Sequence, residues 1–325
     1  MSGEFELIER LAARLGPFEG GLGIGDDAAA WHPSAGRVLV ATTDMLVEEI
    51  HFRLDWISPR DLGWKALAVN LSDLAAMGAR PGHALVSIAL LRDQGPLAEA
   101  IYEGLAELAR ETGTRVVGGD TVRTPGPLVI NVALVGEADP ARLLRRSAAR
   151  PGDVVAVTGT VGASAAGLEL LLAGGRAAAE RPGAARLVAA HHRPRPRLDA
   201  GAALAAADVR CAIDVSDGVA SEVWHLARSS GVEIELEVNR LPLADDAVAI
   251  LGAARATHLA LTGGEDYELL FTVPEARFEA VAATLPADAR ATAIGRVTAA
   301  RDDGVVRFLS AGSPIELEEA GYVAF

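Results

Sequence analysis

Carboxylates set among glycines, serines and threonines are the residues of this chain best suited to chemistry. Asp44 ends the run Val38-Leu39-Val40-Ala41-Thr42-Thr43-Asp44, and Asp120 ends Val116-Val117-Gly118-Gly119-Asp120. Asp214 and Asp217 stand in Ile213-Asp214-Val215-Ser216-Asp217-Gly218, Glu265 in Leu261-Thr262-Gly263-Gly264-Glu265-Asp266, and Asp26 and Asp27 follow Gly23-Ile24-Gly25. Asp73 follows Asn70 by three residues in a helical pattern, so these two polar side chains share a face. A single Asp in such a place is ordinarily a turn former or a helix cap, and Gly218 makes capping a competitor for Asp217. So many acids at strand ends, with no matching bases nearby, would repel one another, and a divalent cation is the usual remedy. An oxygen-only donor set without a His or Cys cluster favours Mg²⁺ over zinc, and Mg²⁺ keeps water and substrate phosphate in its shell. The acids therefore point to a phosphate substrate held through metal. Arg145 and Arg146 could add a direct phosphate contact, although an Arg pair before a loop is ordinarily solvated.

Other chemistries are poorly served. Gly23-Ile24-Gly25-Asp26-Asp27-Ala28 fits a relaxed dinucleotide pattern, but two carboxylates stand where a pyrophosphate needs bare amides. A P-loop cannot occur, because the only lysine, Lys65, lies in Gly63-Trp64-Lys65-Ala66. Cys211 is the one cysteine, so no intrachain disulfide forms, and its setting suits a core thiol better than a nucleophile. His51 could contact a substrate or be structural, while His191 and His192 fall in a Pro- and Arg-rich stretch and are expected to be exposed.

The elements that must hold these residues alternate. Strands are expected at 38–42, 115–117, 128–135, 153–157, 211–214, 259–262 and 269–273, and helices at 60–77, 97–112, 163–172, 218–229 and 275–285. The class is α/β, of α+β type, and Arg150-Pro151-Gly152 divides the chain into domains 1–150 and 151–325. Residues 181–197 read as a surface loop. Of 325 residues 50% are hydrophobic, enough for substantial cores, and the formal net charge of -14 opposes nucleic acid and anionic lipid. The helical start, with Phe5, Leu7, Ile8 and Leu11 among Glu and Arg, is not a signal peptide, and no apolar run spans a membrane, so a cytoplasmic protein is expected.

In their order, residues 23–28, 41–44, 65–79, 118–121, 213–218 and 261–269, with Gly321-Tyr322 near the end, resemble bacterial thiamine-monophosphate kinase over essentially the whole chain. The resemblance implies the two-domain fold of aminoimidazole-ribonucleotide synthetase, with an N-terminal sheet forming a homodimer interface and a C-terminal α/β domain. It implies transfer of the ATP γ-phosphoryl group to thiamine monophosphate. Asp27, Thr42, Thr43, Asp44, Asp73, Asp120, Asp214 and Asp217 would bind several Mg²⁺ ions, with Asp44, Asp73, Asp120 and Asp214 serving catalysis. Tyr102, Gly119, Asp120, Arg146 and Ser216 would border ATP, and His51, Glu265 and Tyr322 would face thiamine monophosphate. Relatives of the same superfamily, selenophosphate synthetase and the hydrogenase-maturation dehydratase, are alternatives whose cysteine positions Cys211 does not match. A nucleotide- or metal-binding protein without turnover is the alternative from another class.

Overall fold

The computed structural model describes residues 10–11, 13–15, 21–22, 30–91 and 94–317; Asp26, Asp27 and Tyr322 lie outside them. The described residues divide into two compact units, the first holding those up to Leu74 with Arg80–Asp139, the second holding Ala75–Ala79 with those from Pro140 onward. Two short strands, β1 (Gly21–Leu22) and β2 (Ala30–Trp31), pair antiparallel.

In the first unit, β3 (Val38–Val47), β4 (Arg80–Leu90), β5 (Arg115–Arg123) and β6 (Val129–Ala138) make a sheet ordered β3-β6-β4-β5. β6 is antiparallel to β3 and β4, and β5 is parallel to β4. Strand alternation sends Leu46, Ala84, Val86, Ile88, Ile130, Val132 and Leu134 to one buried face. The helix Pro59–Ala76 lies on that face. Its start is fixed by Ser58, whose hydroxyl accepts the Asp61 N–H at 3.1 Å, ahead of Pro59 at the first helical position. The helix Gly95–Thr112 crosses it closely: a Cβ on Gly63 would fall 1.8 Å from the Ile101 carbonyl, and one on Gly104 1.7 Å from that of Arg60. The opposite sheet face bears Leu39, Met45, Leu85 and Val122, each exposed.

The second unit is built on seven strands in the order β13-β12-β9-β11-β7-β10-β8, from β7 (Asp153–Thr158), β8 (Cys211–Asp214), β9 (Val232–Glu237), β10 (Leu269–Pro274), β11 (Ala291–Ala300), β12 (Val305–Ser310) and β13 (Ser313–Ile315). Only β12 and β9 are parallel. Alternation again makes two cores: Val155, Val157, Ile213 and Leu270 pack with Val219, Val223 and Leu226 of the helix Val219–Ser230, whereas Ala156, Ala212 and Phe271 pack with Ala200 and Leu204 of Leu198–Ala206. Cys211 is buried in the first of these, and burial pushes its thiol up to about 11. No helix among the described residues is long and apolar enough to cross a membrane.

Several expectations need correction. Residues 259–262 end the helix Ala253–Thr262, because Ala256, Leu259 and Ala260 recur at helical spacing, and a short apolar run cannot by itself separate helix from strand. Residues 181–197 are a loop only from 193 to 197: Pro182–His192 is a helix burying Ala184, Leu187, Val188, His191 and His192, so both histidines are interior. The segment 275–285 divides into a 3₁₀ turn, Glu275–Arg277, and the short helix Phe278–Ala282. Asp44 and Asp120 sit within their strands rather than at the ends, and Glu265 follows a helix.

Candidate active site

In the first unit, β3 points Thr42 and Asp44 toward the helix that carries Asp73. The Thr42 hydroxyl donates to the Asp73 carboxylate, and the Asp44 N–H donates to Asn70 Oδ1 at 3.0 Å. Asn70 is itself fully buried and turned by its amide, which donates to the Ala66 carbonyl at 3.0 Å. Burial first, then the neighbouring Asp73 charge, raises the Asp44 carboxyl to about 6. Two acids are thus held close by rigid elements, at an electrostatic cost that a cation would relieve.

The same alternation separates Thr43 and Asp120 from this pair. Thr43 accepts from Asn131 Nδ2 at 2.9 Å, and Asp120 pairs across the sheet with Ser87, which pairs with Asn131; all lie on the open face. Gly119 faces the other way, pressed so close to β4 that a Cβ would fall 1.9 Å from the Val86 carbonyl. His51 lies in the turn after β3, its Nδ1 accepting the Val47 N–H at 3.1 Å, so the neutral ring carries its proton on Nε2. Tyr102 is buried on the helix Gly95–Thr112, and burial raises its hydroxyl pKa.

In the second unit the turn after β8 and the loop 263–266 lie against one another. A Cβ on Gly264 would fall 2.0 Å from the Ser216 carbonyl and one on Gly218 2.5 Å from that of Leu261. Asp214 is buried at the end of β8, and Ser216, Asp217 and Gly218 lead into the helix Val219–Ser230. Asp217 does not cap that helix through its side chain; Gly218 occupies the cap. Glu222, which the sequence did not single out, accepts the Asp217 N–H at 3.1 Å and the Ser216 hydroxyl at 3.4 Å. Its signal is position: an acid in the first helical turn, directed back at the motif that precedes it. The exposed Arg146 acts electrostatically on Asp217 and Glu222, lowering both, though burial leaves each net raised. Glu265 has its carboxylate Oε2 3.1 Å from His191 Nδ1.

Among the described residues no three His, Cys, Asp or Glu side chains converge into a metal-holding group. Pairs such as Asp44 with Asp73 still suit Mg²⁺, which takes one or two carboxylates and completes its shell with water and phosphate. Zinc, with its closed cages of nitrogen and sulfur, has no comparable seat among these residues.

Glu222 gives a test of the electrostatics. It is 2% exposed, and its carboxyl is raised from 4.5 to about 7 by burial and then by Asp214. Below 4.5 it is protonated whether the chain is folded or not; above 7 it is ionised in both, and only the folded state bears the cost. Its contribution to stability is therefore lost as pH rises through that window. In chelator-treated protein, Glu222→Gln should stabilise by on the order of 1–3 kcal/mol at about pH 8 and by nothing at about pH 4, read by urea unfolding. An equal change at both pH values would rule out charge as the cause.

Comparison with known proteins shows the family and fold of the chain. Family models described as AIR synthase related protein, N-terminal domain and C-terminal domain match residues 25–138 and 150–307. The thiamine-monophosphate kinase of Salmonella typhimurium is 39% identical over 327 residues, covering 99% of this chain and 98% of that protein. The crystal structure of thiamine-monophosphate kinase from Stenotrophomonas maltophilia superposes with a TM-score of 0.84 at 36% identity, covering 96% of this chain and 98% of that one. The structure of "AaThiL complexed with AMPPCP and TMP" gives 0.77 at 35% identity, covering 99% and 97%.

Proposed function

We propose a reaction course for this chain, which belongs to the thiamine-monophosphate kinase family of the AIR-synthase-related fold: the γ-phosphoryl group of ATP passes in line to a phosphate oxygen of thiamine monophosphate, leaving ADP and thiamine diphosphate. The observation that carries the reading is the pairing of Asp44 with Asp73, two acids held together by a buried asparagine and a threonine hydroxyl at a cost that a bound cation would offset. The complex of AaThiL with AMPPCP and TMP supports both ligands.

The acceptor is already ionised at neutral pH, so no general base is required, and alignment with charge neutralisation supplies the catalysis. Mg²⁺, when bound, would supply neutralisation of the phosphate charge. Thr42, Asp44 and Asp73 in the first unit would hold Mg²⁺ there, and Asp214 and Asp217 in the second unit would hold Mg²⁺ of their own; Asp27, Thr43 and Asp120 complete the set by resemblance. Arg146, Ser216, Gly119 and Tyr102 are assigned to ATP. His51, with an Nε2–H to donate, and Glu265 and Tyr322 are assigned to thiamine monophosphate. The open apolar face of the first sheet supports a homodimer; Leu85→Glu should then sediment as a monomer where the parent is a dimer, and a monomeric parent would end this reading.

Incubation with ATP, Mg²⁺ and thiamine monophosphate tests the reaction, with ADP and thiamine diphosphate expected in equal amounts. Failure to form thiamine diphosphate would overturn it, and retention of configuration at a chiral γ-phosphorus would exclude the single in-line step.

A further inference from the structure

His191 is buried at the end of the helix Pro182–His192, in a stretch whose composition suggests a solvated loop. Its Nδ1 lies 3.1 Å from Glu265 Oε2 and 3.1 Å from Ser164 Oγ. Both contacts fall on one ring nitrogen. A nucleophile relay needs the hydroxyl and the acid on opposite nitrogens, an arrangement these two contacts do not make. A proton on Nδ1 instead directs the ring to the carboxylate, a charge-assisted contact in a poorly solvated place.

The backbone around Glu265 is already fixed. Its φ is +70°, a left-handed value uncommon for a residue with a Cβ, and its N–H donates to the Ser216 carbonyl at 2.8 Å. The next residue, Asp266, accepts the N–H groups of Gly162 at 2.6 Å and Ser164 at 3.0 Å. His191 reaches the Glu265 side chain from the interior. The histidine side chain is 7% exposed and the glutamate 26%, so a buried ring contacts a partly exposed carboxylate.

We propose that His191 is a positioning residue that sets the Glu265 carboxylate for the amino-bearing, cationic heteroaromatic portion of the acceptor, a step that rests on the reading of Glu265 as facing thiamine monophosphate. Without a bridging cation a carboxylate repels phosphate, so on the reading of Glu265 as facing thiamine monophosphate its partner is the organic end of that acceptor. Losing His191 therefore weakens acceptor binding and leaves nucleotide binding alone.

Steady-state kinetics of Glu265→Gln, His191→Leu, His191→Asn, His191→Gln and the Glu265→Gln/His191→Leu pair decide it. His191→Leu should raise KM for thiamine monophosphate about tenfold or more, with KM for ATP within about twofold of the parent. His191→Asn, whose amide lies near the position of Nδ1, should stay close to the parent, whereas His191→Gln, which reaches past it, should resemble the leucine variant. The double variant should be no worse than Glu265→Gln alone. If Glu265→Gln leaves KM for thiamine monophosphate unchanged, the reading of Glu265 itself falls. If it raises that KM while the histidine changes have no effect, or add fully to it, the positioning role alone falls. Should His191→Leu not fold, equal kinetics for the asparagine and glutamine variants overturns the proposal.

Discussion

Asp73→Asn is expected to fold as the parent does and to lose roughly 10²–10⁴-fold in kcat at saturating Mg²⁺. The substitution keeps the shape of the side chain and an oxygen to accept the Thr42 hydroxyl, so the helix Pro59–Ala76 keeps its place on β3. What disappears is one of two adjacent charges. The Asp44 carboxyl, held at about 6 by burial and then by Asp73, falls back toward its ordinary range once that neighbour is neutral. The metal-free variant should therefore unfold at a higher temperature than the metal-free parent near neutral pH, while the stabilisation conferred by added Mg²⁺ shrinks. Turnover and thermal unfolding with and without Mg²⁺ read both signs. Full kcat would remove Asp73 from the machinery, and a lower unfolding temperature without metal would recast it as a structural group.

How far the sequence foretold this differs from residue to residue, for identifiable reasons. The helix Pro59–Ala76 follows from a long run whose pattern matches one secondary structure only, and Asp73 with Asn70 on one helical face is read directly from a spacing of three. Thr42, Thr43 and Asp44 look like one cluster as neighbours in the chain, yet the period of a strand separates them: Thr43 faces the open side and the other two face the helix. Their strand continues through Asp44 to Val47, because β6 offers a paired backbone partner along the whole run, which a local polar interruption does not reveal. Composition misled most in 182–192, where Pro and Arg suggest a loop, whereas Ala184, Leu187, Val188 and His191 recur at helical spacing and bury one face. Glu222 and His191 were invisible as site residues because each acts through tertiary contacts, Glu222 on the turn that precedes it and His191 on a loop far along the chain.

The loop that bears Glu265 is also held from its other end, and Arg197→Met should expose how strongly, at a cost of about 3–5 kcal/mol. Arg197 presents Nε and Nη2 to the two oxygens of Glu268 at 2.8 and 2.6 Å, and the Thr158 hydroxyl donates to the same carboxylate at 2.6 Å. Glu268 is 2% exposed and sits beside Gly159, where a Cβ would fall 2.1 Å from Oε1. Burial leaves its carboxyl raised even against the guanidinium, which acts in the opposite direction and favours the ionised form. Removing the arginine leaves a buried charge with only neutral donors, or forces the acid to take up a proton. The penalty should therefore be larger at about pH 8 than at about pH 5, because protonation relieves it as pH falls. Asp288, which also meets Arg197 at 3.1 Å, is largely exposed and adds little. Adding Glu268→Gln to Arg197→Met should recover most of the loss, since the charge that needed a partner is gone. Urea unfolding of the parent, Arg197→Met, Glu268→Gln and the double variant at both pH values separates a buried ion pair from simple packing of the arginine stem: a loss independent of pH and not rescued by glutamine would assign the effect to packing.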